Sequence, residues 1–409
     1  MRIARAGVMS LLLAVAAGAC AREEAPLGGP PDPVPPRLVR VTPESGSTVR
    51  RPSEVEFRFD EVVDERPSGV PSLEALVMIS PRDGDPRVRW RREALSIRPR
   101  RGWRDSTTYV VTLLPGLSDL RGNVRDSASS TVFSTGGPIA TTRITGAAFD
   151  WAGGTPLGNA LIMGITRPRE GRADSAIYIA RAVSNGSFVL PYVRPGEVTI
   201  YVVNDQNSNY AVDLREAFDS TTVTLSDSLH VELYAFVQDS IGPQPGAVTV
   251  RDSVTLVVNL SRPLHPDDTL TTSRIIVVGP DSQPLPIALV QRQAEFDSAQ
   301  AAAAVEAQPD TAIAPPPPDT LPPAMADTAA APDTAAAPRF SRPIPASSIV
   351  IRLRQPLRPA TTYEVRTRGL RNLLRYAADG FMRFVTPAPA PPQENAPPDS
   401  TGFARAGRR

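Results

Sequence analysis

The sequence predicts an all-β chain of tandem β-sandwiches joined by disordered linkers, and three observations carry that expectation. Apolar and polar residues alternate in short runs such as Glu54-Val55-Glu56-Phe57-Arg58-Phe59, the period of a strand with one face on a core. The 45 Pro and 27 Gly interrupt stretches rich in Val, Thr and Ser, so turns should be frequent and long helices are not expected. At 409 residues the chain exceeds what one core fills, which calls for several small ones.

Charge narrows the function classes. The 44 basic and 43 acidic side chains leave a formal net charge of +1, and every basic one is Arg. Near-neutrality removes the electrostatic case for nucleic acid or an anionic membrane surface. Arg usage this complete fits a GC-rich genome better than an Arg-specific site.

The first residues read as an address. Arg2 and Arg5 form a positive start, Val8 to Ala17 an apolar stretch too short to span a bilayer, and Ala17-Gly18-Ala19 a small-residue cleavage site, so 1–19 is expected to be a signal peptide. Cys20, the only cysteine, follows directly. The segment resembles a lipobox, which implies lipidation of Cys20 and attachment to the membrane through that N-terminal lipid. Ala17 stands where Leu is usual, and the same triplet also suits ordinary signal peptidase, which would leave a free thiol. Ala21, rather than Asp, is compatible with outer-membrane sorting in a Gram-negative cell. One cysteine allows no intrachain disulfide, so packing alone must stabilise the units. Residues 20–36 are rich in Pro and Gly and read as a tether.

Three units follow. In 37–136, Pro35-Pro36-Arg37 leads through Val41-Thr42-Pro43 to Gly46-Ser47; then come Phe59-Asp60-Glu61, Thr107-Thr108-Tyr109, Asp119-Leu120-Arg121-Gly122-Asn123 and Phe133-Ser134-Thr135-Gly136. This order resembles the bacterial Ig-like domain of S-layer proteins and envelope lipoproteins, which implies a structural or interaction module without catalytic residues. In 139–239, Pro156-Leu157-Gly158-Asn159-Ala160, Asn185-Gly186-Ser187-Phe188 and Arg194-Pro195-Gly196-Glu197 are similar to the carboxypeptidase-regulatory-like family, small transthyretin-like sandwiches that are accessory. In 247–386, Ile351-Arg352-Leu353-Arg354 through Thr361-Thr362-Tyr363 repeats Ile97-Arg98-Pro99-Arg100 through Thr107-Thr108-Tyr109, and Gly369-Leu370 with Leu373 repeats Gly116-Leu117 with Leu120. This is read as a divergent second Ig-like copy, without the leading Pro-Pro or a clear Phe-Asp-Glu. An Ala/Pro/Asp/Thr insertion at 294–345 is expected to be disordered apart from a short helix near Ala303-Ala304-Val305, as is the tail 387–409.

Candidate chemistry is sparse. The histidines are His230, alternating with apolar residues on a strand, and His265, in a Pro-flanked turn; no Ser-His-Asp, Cys-His or HExxH set is available. Asp60-Glu61 and Asp64-Glu65 have the composition of a glycosidase acid/base pair but also that of strand-end residues. The cluster Arg87, Arg89, Arg91, Arg92, Arg98, Arg100, Arg101 and Arg104 reads first as a solvated face, with lipid A or an anionic glycan as the competing ligand. The sharpest motif is Asp205-Gln206-Asn207-Ser208-Asn209-Tyr210-Ala211-Val212-Asp213-Leu214-Arg215-Glu216. It places oxygen-bearing side chains at loop positions 1, 3, 5, 9 and 12 (Asp205, Asn207, Asn209, Asp213, Glu216), with the Ala211 carbonyl at 7, the spacing of a Ca²⁺ loop. Tyr210 stands where Gly usually makes the sharp turn, and a plain turn capped by Asp and Asn is the alternative. Together these readings describe a non-catalytic cell-envelope lipoprotein that binds an envelope protein or glycan or acts as a spacer. A surface adhesin and an unrecognised enzyme such as a glycosidase are the alternatives.

Overall fold

The computed structural model describes residues 32–167, 176–306 and 338–388. The signal segment, Cys20, most of the tether, 307–337 and 389–409 lie outside the described residues.

The first unit holds β1 (Leu38–Thr42), β2 (Ser47–Thr48), β3 (Val55–Phe59), β4 (Val77–Ser80), β5 (Arg87–Trp90), β6 (Ala94–Arg98), β7 (Thr108–Leu113) and β8 (Ser129–Ser134). They form two four-stranded sheets, β1-β3-β6-β5 and β2-β8-β7-β4. The period of two is obeyed on β3, where Val55, Phe57 and Phe59 are buried and Arg58 is exposed. Those three residues share one core with Leu95, Ile97, Tyr109, Val111 and Phe133.

The middle unit holds β9 (Arg143–Asp150), β10 (Thr155–Pro156), β11 (Leu161–Thr166), β12 (Ile177–Arg181), β13 (Ser187–Pro191), β14 (Gly196–Val203), β15 (Ala217–Leu225) and β16 (Ser228–Val237). β15 and β16 pair through two residue pairs only, Ala217 with Val237 and Phe218 with Phe236. From there two layers diverge, β12-β11-β14-β15 and β13-β9-β16, with β16 parallel to β9. Ile144, Leu190 and Leu233 from one layer meet Ile162, Val198 and Ile200 from the other in a shared core.

The third unit holds β17 (Pro245–Val250), β18 (Thr255–Leu264), β19 (Ile275–Val278), β20 (Pro284–Leu285), β21 (Ile287–Arg292), helix α1 (Gln293–Glu306), β22 (Ala346–Leu353), β23 (Thr362–Arg371) and β24 (Ala377–Val385). Its sheets run β17-β18-β22-β21 and β20-β19-β23-β24. The first sheet matches β1-β3-β6-β5 strand for strand, and β24-β23-β19 matches β8-β7-β4. The third unit is therefore a second copy of the first fold.

The expected insertion is narrower than its composition suggests. α1 begins at Gln293 and packs on the third unit, with Phe296 buried, Asp297 paired to Arg251 at 2.6 Å and the Gln293 Oε1 bonded to Ser348. At the other end, residues 340–344 lie across the middle unit. Phe340 meets Phe149 and Tyr234 edge-on at 5.4 Å, the Ser341 hydroxyl bonds the Tyr234 hydroxyl and Glu232, and the Trp151 indole N–H donates to the Pro343 carbonyl. An aromatic residue at each end supplies the apolar burial that the Ala/Pro/Asp/Thr composition hides, and so corrects the expectation of disorder there.

Both joints between units are built. At the first, the Arg82 amide donates to the Ile177 carbonyl (2.6 Å) and the Ile179 amide to the Ser80 hydroxyl (3.1 Å), so β4 lies along the edge of β12. Such pairing covers two sheet edges that would otherwise stand open. At the second, the Asn372 side-chain amide donates to the carbonyls of Asp239 (2.5 Å) and Ile241 (3.0 Å), while Arg262 pairs with the Asp239 carboxylate. Gly242 passes so close to β24 that a Cβ there would lie 2.3 Å from the Ala378 amide nitrogen, so only glycine fits.

Candidate functional site

The loop from Asp205 to Glu216 leaves β14, crosses the outer face of β12-β11-β14 and enters β15. Tyr210 and Val212 pack there beside Leu161, Met163, Ile179, Val203 and Phe218, and Met78 of the first unit reaches the same cluster. Tyr210 makes the sharp turn with φ +56°, so the left-handed conformation expected of glycine is taken by a residue held from the side. Its ring lies under two guanidinium groups, Arg82 at 4.3 Å and Arg181 at 5.3 Å from the centroid. The loop therefore touches the first joint.

The predicted ligands separate into two groups. The Asp205 side chain is fully buried; its Oδ1 accepts the Asn209 amide (3.0 Å) and its Oδ2 faces the Arg181 guanidinium at 3.4 Å. Glu216, 8% exposed, accepts the Gln206 amide through Oε1 (3.0 Å), whereas its buried Oε2 has no hydrogen-bond partner. The Asn207 side-chain oxygen accepts the Asn209 amide and the Asn209 oxygen accepts the Ala211 amide, both at 2.9 Å. These four residues form one end of the loop. Asp213 closes a turn of its own, accepting the Arg215 amide through its carboxylate and the Glu216 amide through its carbonyl. Among the described residues no three His, Cys, Asp or Glu side chains gather closely enough to hold a metal ion, so Asp205, Asp213 and Glu216 are not one cluster.

Other predicted positions have ordinary surroundings. His230 is exposed, with its ring 3.3 Å from the Thr145 hydroxyl. His265 is buried instead of lying in an open turn: it meets Trp151 edge-on and its Nδ1 accepts the Asp267 amide. Burial, with Arg375 nearby, lowers its pKa. Asp64 accepts the Arg66 amide two residues on, the behaviour of a turn residue, while Asp60 accepts the Arg37 amide of the segment leading into β1. Burial and repulsion from Asp119, Asp32 and Asp60 raise the pKa of Glu61. In the Arg cluster, Arg91 and Arg98 converge on Glu54 at 3.0 and 3.1 Å, and the Arg100 and Arg101 amides bond Asp83. Arg87, Arg89 and Arg92 are exposed.

Sequence reasoning did not find the second joint. Beside it lies a cleft of about 560 Å³ lined by Phe236, Asp239, Arg262, Asn372 and Leu373 among others. The available signal was the alignment of Gly369-Leu370 with Gly116-Leu117, which sets Asn372 opposite Asp119.

Comparison with known proteins bears on the first unit alone. No curated protein matches the sequence. Among solved structures, an L,D-transpeptidase from Mycobacterium smegmatis is 18% identical, over 50% of this chain and 77% of that one, with a TM-score of 0.19. Domains 1–6 of the surface layer protein SbsC are 10% identical over 88% of this chain and 55% of that one (TM-score 0.19). BcpA, the major pilin subunit of Bacillus cereus, is 8% identical over 50% and 71% (TM-score 0.18). Likenesses this loose carry no functional argument. The family model for the bacterial Ig-like domain matches residues 32–135, and the first of the three units is a bacterial Ig-like domain.

Proposed function

We propose that the protein is a non-catalytic spacer of the bacterial cell envelope, anchored through a lipid on Cys20 and presenting its sandwiches to another envelope protein or glycan. The observation that carries this reading is that both joints are fixed by buried or half-buried hydrogen bonds, with β4 set along β12 and Asn372 clamped to the 239–241 segment. Units joined in this way hold a distance and an orientation, whereas freely hinged units hold neither. The Ig-like first unit supports a surface or structural role. The sole cysteine directly after a small-residue cleavage site supports the anchor, and Ala21 supports sorting to the outer membrane.

The test is fractionation of cells expressing the full chain or its Cys20→Ser variant. The wild-type chain is expected to stay with membranes through a high-salt wash and the variant to appear in the soluble fraction. A variant that remains in the washed membranes refutes the anchor.

A further inference from the structure

We propose that the loop from Asp205 to Glu216 binds one calcium ion at the end formed by Asp205, Asn207, Asn209 and Glu216. Glu216 is 8% exposed, and its Oε2 has no partner although Oε1 is bonded to the Gln206 amide of the same loop. A buried carboxylate oxygen without a donor is costly, and a hard cation satisfies it, since calcium takes six to eight oxygen ligands. The second carboxylate, Asp205, has no exposed side-chain surface and faces a single guanidinium at 3.4 Å.

Position and chemistry then agree. Asp205, Asn207, Asn209 and Glu216 occupy positions 1, 3, 5 and 12 of a twelve-residue loop, and Ala211 at position 7 supplies a backbone carbonyl. Asp213, in its separate turn, holds position 9, the place where such loops often coordinate through a water molecule. The donors are all oxygen, and two of the side chains are amides, so the site suits calcium at modest affinity. The loop also carries Tyr210 beneath Arg82 of the first unit, so an ion that fixes the loop stiffens the first joint.

The experiment is a calorimetric titration of the full chain with calcium chloride, paired with thermal melting in calcium or in magnesium at equal concentration. The expected result is one site per chain with a Kd of roughly 0.1–1 mM, and a melting temperature raised by a few degrees in calcium but not in magnesium. Glu216→Gln is expected to weaken binding at least tenfold. Asn209→Ala, at an exposed position, serves as a second variant should Glu216→Gln fail to fold, and is expected to weaken binding severalfold. A wild-type chain that gives neither heat nor a melting shift at 10 mM calcium overturns the proposal, as do folded variants that bind calcium as the wild type does.

Discussion

The first and third units share a fold and a set of contacts, and differ where one of them meets a neighbour. In the first, Tyr109 stacks on Phe133 with ring centroids 5.9 Å apart; in the third, Tyr363 stacks on Phe384 at the same separation. The Tyr109 hydroxyl accepts the Arg104 amide and the Tyr363 hydroxyl accepts the Arg358 amide, each five residues upstream. Thr135 and Thr386 tie the same corner, accepting the amides of Thr107 and Thr361 and donating to the carbonyls of Arg104 and Arg358. Trp103 then adds a third ring to the first copy, edge-on to both partners, where the third copy has Leu357.

The closing loop diverges further. Asp119 accepts the amides of Arg121 and Asn123 through Oδ1, and its Oδ2 accepts the Asn123 side-chain amide, whose nitrogen also donates to the Asp32 carbonyl at 2.8 Å. Asn372 accepts the amides of Leu374 and Tyr376 in the same way, but its own NH₂ reaches out to the linker carbonyls of Asp239 and Ile241. Exchanging one carboxylate oxygen for a nitrogen changes an acceptor into a donor. Both loops thereby hold the chain entering their unit, through Asn123 in the first copy and through Asn372 itself in the third, where that chain is the joint with the middle unit.

Truncating the aromatic corner should separate the copies most. Phe133 has no exposed surface and meets two rings, while Phe384 is 8% exposed and meets one. Phe133→Ala is expected to cost about 3–5 kcal/mol and Phe384→Ala to fall at or below the lower end of that range. Urea unfolding of the two full-chain variants measures both, and equal losses would erase the distinction drawn from Trp103.

The loop exchange tests the joint itself. Asn372→Asp keeps the acceptor for Leu374 and Tyr376 but sets a carboxylate against two carbonyls, at an expected cost of about 1–3 kcal/mol and with faster proteolysis at the 239–245 linker. The reverse change, Asp119→Asn, is expected to cost about 1 kcal/mol, because turning the Asn123 amide to offer oxygen in place of nitrogen gives up its bond to the Asp32 carbonyl. A linker cut at the wild-type rate in Asn372→Asp would show that the clamp does not hold the joint.

Acid provides the smallest contrast. Burial pushes the Asp119 pKa up, but hydrogen bonds from Asn123, Arg121 and Gly122 outweigh it and hold the group below its ordinary value of 3.8. A depressed folded-state pKa means stability that is present above the unfolded value and lost as pH falls through the folded one. The first unit should therefore lose stability below about pH 4, while the uncharged Asn372 adds no such loss to the third. Melting temperatures against pH for wild type and Asp119→Asn should diverge in that window, with the variant less sensitive. Parallel curves would remove Asp119 from the account.

The strands were legible because their information is local. Val55, Phe57 and Phe59 alternate with polar neighbours, and Thr107-Thr108-Tyr109 recurs intact as Thr361-Thr362-Tyr363. The docked ends of the insertion were not legible, since Phe296 and Phe340 are single aromatics in Ala- and Pro-rich surroundings and their partners lie far away in sequence. At the candidate site, spacing alone indicated Asp205 and Glu216. Their burial and the separate turn of Asp213 depend on how Tyr210 and Val212 cover the neighbouring sheet, which periodicity does not encode.

The strap at residues 340–344 gives the middle unit a history. Phe149 and Tyr234 lie on strands complete by Val237 and Trp151 follows directly on β9, yet the residues that cover them arrive about a hundred residues later in the chain. Until that later segment docks, the face lacks the cover it provides. Until then an aromatic surface stands open on the middle unit, whose burial is complete only once residues 340–344 are in place.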